Sequence, residues 1–331
     1  MIQKKYPLMD PKVDFAFKQI FAGKGKESRV VLIEFLNTVL DLKNDKRINR
    51  IEYLNPYTDK EYEEAKQSIM DIKVKTEAGE YIDIEIQIRN VDNYRKRALF
   101  YWASMYREQM GEGEAYEKLK KCIVISIINF DLIQENPGYH SQFRVIAPST
   151  GIELMDDLEI HYLELPKTPD EEDVDRLNNL EQWLIFIKDA ANLNRRELIK
   201  KICEKNEVIK MAEEVLETLS QDEKNRELYL QREKWRLDKI SSEYYLRNKA
   251  LKEGREEGRK EGLEEGRQEG RQEGKQEGKQ EGRQEGRQEG RQEGKQEGKR
   301  EIALKMLSKK MPIDEIIDLT GLSAEEVEKL K

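Results

Sequence analysis

Apolar and polar residues alternate most regularly at residues 81–89. Ile82, Ile84, Ile86 and Ile88 share one face of an extended segment, and Tyr81, Asp83, Glu85, Gln87 and Arg89 share the other. This period of two predicts a strand. Its partner is read at residues 69–75, Ile-Met-Asp-Ile-Lys-Val-Lys, across a turn signal at Glu77-Ala78-Gly79-Glu80. A hairpin of this kind is expected to bury the isoleucine face and present the polar row on the other.

Helical periodicity surrounds the hairpin. Val13, Phe17, Ile20 and Phe21 form one stripe over Val13–Phe21, and a second amphipathic helix is read near Glu27–Leu42. A strand at about 48–54 precedes the hairpin, and a helix over Tyr94–Met110 follows it. Cys122–Ile128 is an almost unbroken apolar run between Lys121 and Asn129, which predicts a fully buried central strand. Further strands are expected at about 140–147 and 158–165, then a helix over Asp170–Ala190 carrying Trp183, Leu184 and Phe186. Residues 1–194 therefore read as one α/β domain. Beyond Arg195 strand signals cease. Residues 204–219 and 223–251 read as helices in a separate helical region, 195–251.

The pattern then changes abruptly. From Gly254 to Gly298 a glycine recurs at every fourth position, twelve in all. Residues 252–300 carry fourteen basic and fourteen acidic side chains and so are neutral. As a helix, twelve glycines cost on the order of 10 kcal/mol against alanine, and the i,i+4 neighbours are like charges. A flexible polyampholyte spacer is the preferred reading; a paired helix with close backbone approach is the alternative. Residues 301–331 recover an apolar period with a capping box at Ser323-Ala324-Glu325-Glu326. A helix–turn–helix fits the pattern, but Glu325, Glu326 and Glu328 would repel phosphate, so a small docking or dimerisation cap is preferred.

Composition narrows the class. The 331 residues are 39% charged, with net charge -8 and mean hydropathy -0.89. No apolar run reaches membrane-spanning length, and the first residues lack the apolar core of a signal peptide. Cys122 and Cys203 are the two cysteines, with no Cys/His cluster to hold zinc. A cytoplasmic protein without membrane contact is expected. The acidic balance argues against indiscriminate nucleic-acid binding by the whole chain but leaves room for a local basic patch.

The hairpin also carries the candidate chemistry. Asp71 and Glu85 can converge across the pair, where two carboxylates repel and readily share a divalent cation. The pattern alone is equally compatible with ordinary solvated acids on an exposed strand face. Asp71, thirteen intervening residues, then Glu85-Ile86-Gln87 resembles the signature of the PD-(D/E)XK nuclease superfamily, with Gln87 where a lysine is usual. Asp10–Phe21, Glu34-Phe35-Leu36-Asn37, the Tyr94–Tyr106 helix and Leu163-Glu164-Leu165-Pro166-Lys167 resemble, in order, the Rpn family of recombination-promoting nucleases over roughly residues 8–190.

That resemblance implies a restriction-endonuclease-like core, a mixed central sheet flanked by helices. It implies a metal-dependent DNA endonuclease linked to recombination, transposition-like rearrangement and defence against foreign DNA. Mg²⁺, or Mn²⁺ in its place, would be held by Asp71, Glu85 and the carbonyl of Ile86. Gln87 would orient water but supply no charge. Asp14 would complete the carboxylate set through water, or simply favour its helix N-terminus. Lys73 could offer an ammonium to the same phosphate, or be a solvated strand lysine. Asp83 reads as a neighbouring or solvent group, and His140 and His161 as structural. Arg95, Lys96, Arg97 and Arg107 suit contacts to a DNA backbone. A second copy of the chain is an expected partner through the helical tail. The competing reading is an inactive nuclease-fold scaffold that acts through that tail.

Overall fold

A computed structural model describes residues 5–54, 71–90 and 93–331, position 71 through its backbone. Among these residues one mixed sheet has six strands. They are β1 (Ile51–Tyr53), β2 (Asp71–Thr76), β3 (Tyr81–Gln87), β4 (Cys122–Ile128), β5 (His140–Phe143) and β6 (Leu158–Glu164), in the order β1-β2-β3-β4-β6-β5. β1, β2 and β3 are antiparallel neighbours. β3, β4 and β6 run parallel, and β5 closes the far edge antiparallel to β6. The β2–β3 turn needs a left-handed residue, which Gly79 supplies at φ +90°. Residues 69 and 70 of the expected partner strand lie outside the described residues.

The isoleucine face behaves as its alternation predicts. Ile82, Ile84 and Ile86 join Ile123, Ile125 and Ile127 of β4 beneath α1 (Asp14–Ala22), α2 (Lys26–Val39) and α4 (Asn179–Asp189). Phe21, Phe35 and Trp183 lock these three helices together, with ring centroids 5.1–6.0 Å apart. The opposite face is not open to water, contrary to the hairpin expectation. The helix α3 (Tyr94–Glu108) lays Tyr94, Ala98 and Met105 over Val124, Ile128, Ile160 and Tyr162. Trp102 Nε1 donates to the Cys122 carbonyl at 3.0 Å and Tyr106 Oη to Asp157 Oδ2 at 2.5 Å, fixing α3 to the strand ends. Asp83 and Glu85 are consequently buried, at 1% and 2% exposure.

Three further features depart from the sequence reading. Residues 170–178 are not helical apart from a short 3-10 turn, Val174–Arg176. The helix waits for Asn178, whose side chain accepts from the Glu181 amide while Glu181 reaches back, a full capping box. The helices α5 (Arg196–Lys205) and α6 (Glu207–Gln221) do not form a separate region: Leu198, Ile199, Ile202, Ile209, Ala212 and Leu216 complete the core under α1 and α2.

The glycine repeat, expected to be a tether, is helical. α7 runs from Glu223 to Ser308 without interruption. Because the segment continues a helix already formed on both sides, it needs no costly nucleus of its own. The chain divides into two compact units, 1–240 and 241–331. Within the second unit, Ala303 of α7 packs with Ile316 of α8 (Ile313–Thr320), Leu322, and Val327 of α9 (Ala324–Glu328). Gly321, at φ +65°, makes the turn between α8 and α9.

Candidate active site

The register of β2 and β3 sets Asp71 directly opposite Glu85, and Lys73 opposite Asp83 one pleat away. Glu85 is in turn beside Ser126 of β4, and Ser126 beside Tyr162 of β6. One row across four strands thus reads Asp71, Glu85, Ser126, Tyr162. Alternation on the strands puts Glu85, Ser126 and Tyr162 on the face that α3 covers.

Glu85 is held by two groups from α3. Arg97 Nη2 donates to Glu85 Oε1 in an ion pair, and Tyr94 Oη donates to Glu85 Oε2 at 3.3 Å. Arg97 is itself clamped. Its Nε donates to Tyr101 Oη at 2.8 Å, and its guanidinium lies 5.2 Å and 5.7 Å from the ring centroids of Tyr101 and Tyr94. Burial works against the Arg97 charge, but the Glu85 carboxylate beside it and the Tyr101 hydroxyl outweigh that, and its pKa is raised. Burial also pushes the Tyr94 phenol well above its ordinary range, with Glu85 adding to the effect, so Tyr94 stays a donor. Tyr162, burial again the main cause, is raised to about 12.

The sequence-predicted residues distribute unevenly around this row. Gln87 is half-buried at the end of β3, and its Nε2 donates to the Arg89 carbonyl at 3.0 Å. Asp14 is in the first turn of α1, whose apolar residues pack in the layer on the isoleucine face. Arg95 donates to the Leu132 carbonyl at 2.8 Å and pairs with Glu135; Lys96 and Arg107 are exposed. Arg97, expected to contact a DNA backbone like these cations, is the member that reaches Glu85. Tyr94 and Tyr101, which sequence reasoning left without a role, stand three residues before and four after Arg97. That spacing puts all three on neighbouring turns of one helix face, and it was the available signal.

The two histidines lie in adjacent strands, and they touch. His140 Nε2 and His161 Nδ1 are 2.8 Å apart, and His161 Nε2 is 3.1 Å from Glu159 Oε1, so His161 donates to Glu159 and accepts from His140. Lys121 pairs with the same carboxylate at 2.6 Å. Burial first, then His161, lowers the His140 pKa to about 4. Burial works to raise that of Glu159, yet the hydrogen bonds from His161 and Lys121 bring it down to about 2.

The second unit is built around its caps. The Glu326 amide donates to Ser323 Oγ at 3.3 Å and the Ser323 amide donates to Glu326 Oε2 at 2.9 Å. Of the three acids that argue against a helix–turn–helix, Glu326 is therefore spent on closing a helix start.

Residues 11–245 match the family described as PD-(D/E)XK nuclease family transposase. Residues 296–331 match the C-terminal HTH domain of the Rpn/YhgA-like nuclease family, which corrects the preference for a docking cap. No curated protein and no solved structure matches the chain.

Proposed function

The chain belongs to the PD-(D/E)XK nuclease family transposases, and on that premise we propose that it is a metal-dependent endonuclease that hydrolyses DNA. The observation that carries this reading is the register of Asp71 opposite Glu85 on a sheet face crossed by a cationic helix. Residues at facing positions of an antiparallel pair have Cβ atoms about 5 Å apart, a register from which two carboxylates can share a divalent cation. Both are oxygen donors of the kind Mg²⁺ and Mn²⁺ take. Asp71 and Glu85, with the carbonyl of Ile86, would hold the ion, which when bound lowers the pKa of water and offsets phosphate charge.

The remaining groups act by position. Tyr94 and Arg97 hold Glu85 in one orientation, a requirement for a carboxylate that must meet a phosphate at fixed geometry. Gln87 and Lys73 border the same row, Gln87 to orient water and Lys73 to offer an ammonium, and Asp14 would complete the carboxylate set through water. Arg95, Lys96 and Arg107 bring positive charge to α3 for contacts to the DNA backbone without base readout.

The family description of residues 296–331 as an HTH domain supports a second contact with DNA, and the word transposase supports a role in DNA rearrangement. We assign pairing with a second copy to α7. Its exposed Leu230, Leu237, Tyr244, Tyr245 and Leu251, each more than half exposed, support that assignment. A supercoiled-plasmid nicking assay, with and without Mg²⁺, tests the function. Nicking that requires the ion supports it, and a chain that binds no divalent ion is the inactive scaffold.

A further inference from the structure

Gln87 brings no charge to the position where a lysine is usual, and its amide is engaged with the Arg89 carbonyl. A cation is nevertheless present at Glu85, delivered by α3 instead of β3. Arg97 uses Nη2 on Glu85 and Nε on Tyr101, and among the described residues its Nη1 makes no bond. Its side chain is 32% exposed while that of Glu85 is 3% exposed, so the pair opens to solvent on the arginine side. A planar fork with one arm on a carboxylate and the other toward solvent can bridge to a phosphate oxygen.

We propose that Arg97 is a catalytic residue of the nuclease: its guanidinium contacts a non-bridging oxygen of the scissile phosphate and supplies the positive charge that Gln87 lacks. The inference rests on the nuclease reading. In the step it assists, a water oxygen bonds to phosphorus and the bond from phosphorus to one sugar oxygen breaks. The proton lost by the water is balanced by one taken up at the leaving oxygen, and one water is consumed. Arg97 moves no proton; it stays charged and stabilises charge on the phosphate. A purely structural arginine, present to neutralise Glu85, would need neither the exposed arm nor the two tyrosines that hold its plane.

The test uses the full chain and four proteins: wild type, Arg97→Gln, Gln87→Lys and the double variant. Three quantities are measured: plasmid nicking rate with Mn²⁺, Mn²⁺ affinity by calorimetry, and affinity for a short duplex in Ca²⁺. Arg97→Gln is expected to slow nicking about 100-fold, to weaken duplex binding, and to bind Mn²⁺ at least as tightly as wild type. Adding Gln87→Lys is expected to recover most of the lost rate, because it returns an ammonium to the same phosphate. Should Arg97→Gln fail to fold, the double variant decides, since its lysine also offers Glu85 a partner; a rate about 100-fold below wild type there overturns the proposal. So does Arg97→Gln within twofold of wild type, or a rate loss matched by an equal loss of Mn²⁺ affinity. In those cases an active wild type keeps the nuclease reading intact. A wild type that neither binds Mn²⁺ nor nicks overturns both.

Discussion

Arg97 and Glu85 form an ion pair that is buried on one side only, 3% of the Glu85 side chain and 32% of the Arg97 side chain being exposed. The carboxylate depends on its partner, whereas the guanidinium has water to fall back on. Arg97→Gln should therefore destabilise the protein by about 3 kcal/mol, since it removes the paired cation from a buried carboxylate. Glu85→Gln should cost about 1 kcal/mol, because the amide oxygen can still accept from Arg97 while the amide NH2 donates to the Tyr94 hydroxyl oxygen. Urea unfolding measures both. A larger cost for Glu85→Gln than for Arg97→Gln would contradict this asymmetry.

The histidine pair predicts a pH dependence. The His140 pKa is lowered in the folded state, to about 4 from 6.5, so the unfolded chain binds the proton more readily. Its contribution is complete above pH 6.5 and is lost as pH falls from 6.5 toward 4, amounting to about 2 kcal/mol after allowance for partial exposure. Glu159, lowered to about 2, adds a second loss between about 4.5 and 2. His140→Gln should flatten the stability curve between pH 6.5 and 4 and leave the lower limb. An unchanged slope in that variant would show that other groups titrate there.

An added Cβ meets nothing within 4 Å at any glycine from Gly254 to Gly298. Alanine at Gly270, Gly274 and Gly278 should raise helicity and stabilise the segment by about 1 kcal/mol per site. Far-ultraviolet circular dichroism of the full chain reads this directly. Weaker helical signal in the triple alanine variant would contradict the helical assignment of the repeat.

The first compact unit ends at Ile240, and its core is supplied from within that limit, with Tyr229 of α7 as the last contributor. A chain stopped after Leu251 should fold cooperatively, with the thermal transition of the full protein's α/β unit. Loss of that transition would mean that α7 beyond Leu251 is needed to hold the core.

Much of this architecture was legible in the sequence, for identifiable reasons. Cys122–Ile128 reads as a buried strand because all seven residues are apolar or small, and all seven are buried. The Asp71–Glu85 register was legible because a period of two and a glycine turn leave little freedom in pairing. What escaped was set by tertiary contacts. Glu85 looked solvent-facing because nothing local announces that α3 folds over it. Arg97 looked like Lys96 and Arg107 because its role depends on a partner in another element. The helix over Arg196–Lys205 escaped because its apolar residues were read as part of a charged, independent region. The repeat is helical against its summed propensity because it continues the helix on either side of it.

A single divalent-cation site formed by Asp71 and Glu85 should make DNA cleavage depend on both carboxylates and on the ion. This is read most directly from nicking of supercoiled plasmid with Mg²⁺ by wild type, Asp71→Asn and Glu85→Gln, with Mg²⁺ replaced by EDTA as the control. Wild type should nick with Mg²⁺ and stop with EDTA, and each variant should be slowed at least about 100-fold while remaining folded. Nicking that persists in EDTA, or at the wild-type rate in either variant, would contradict the account.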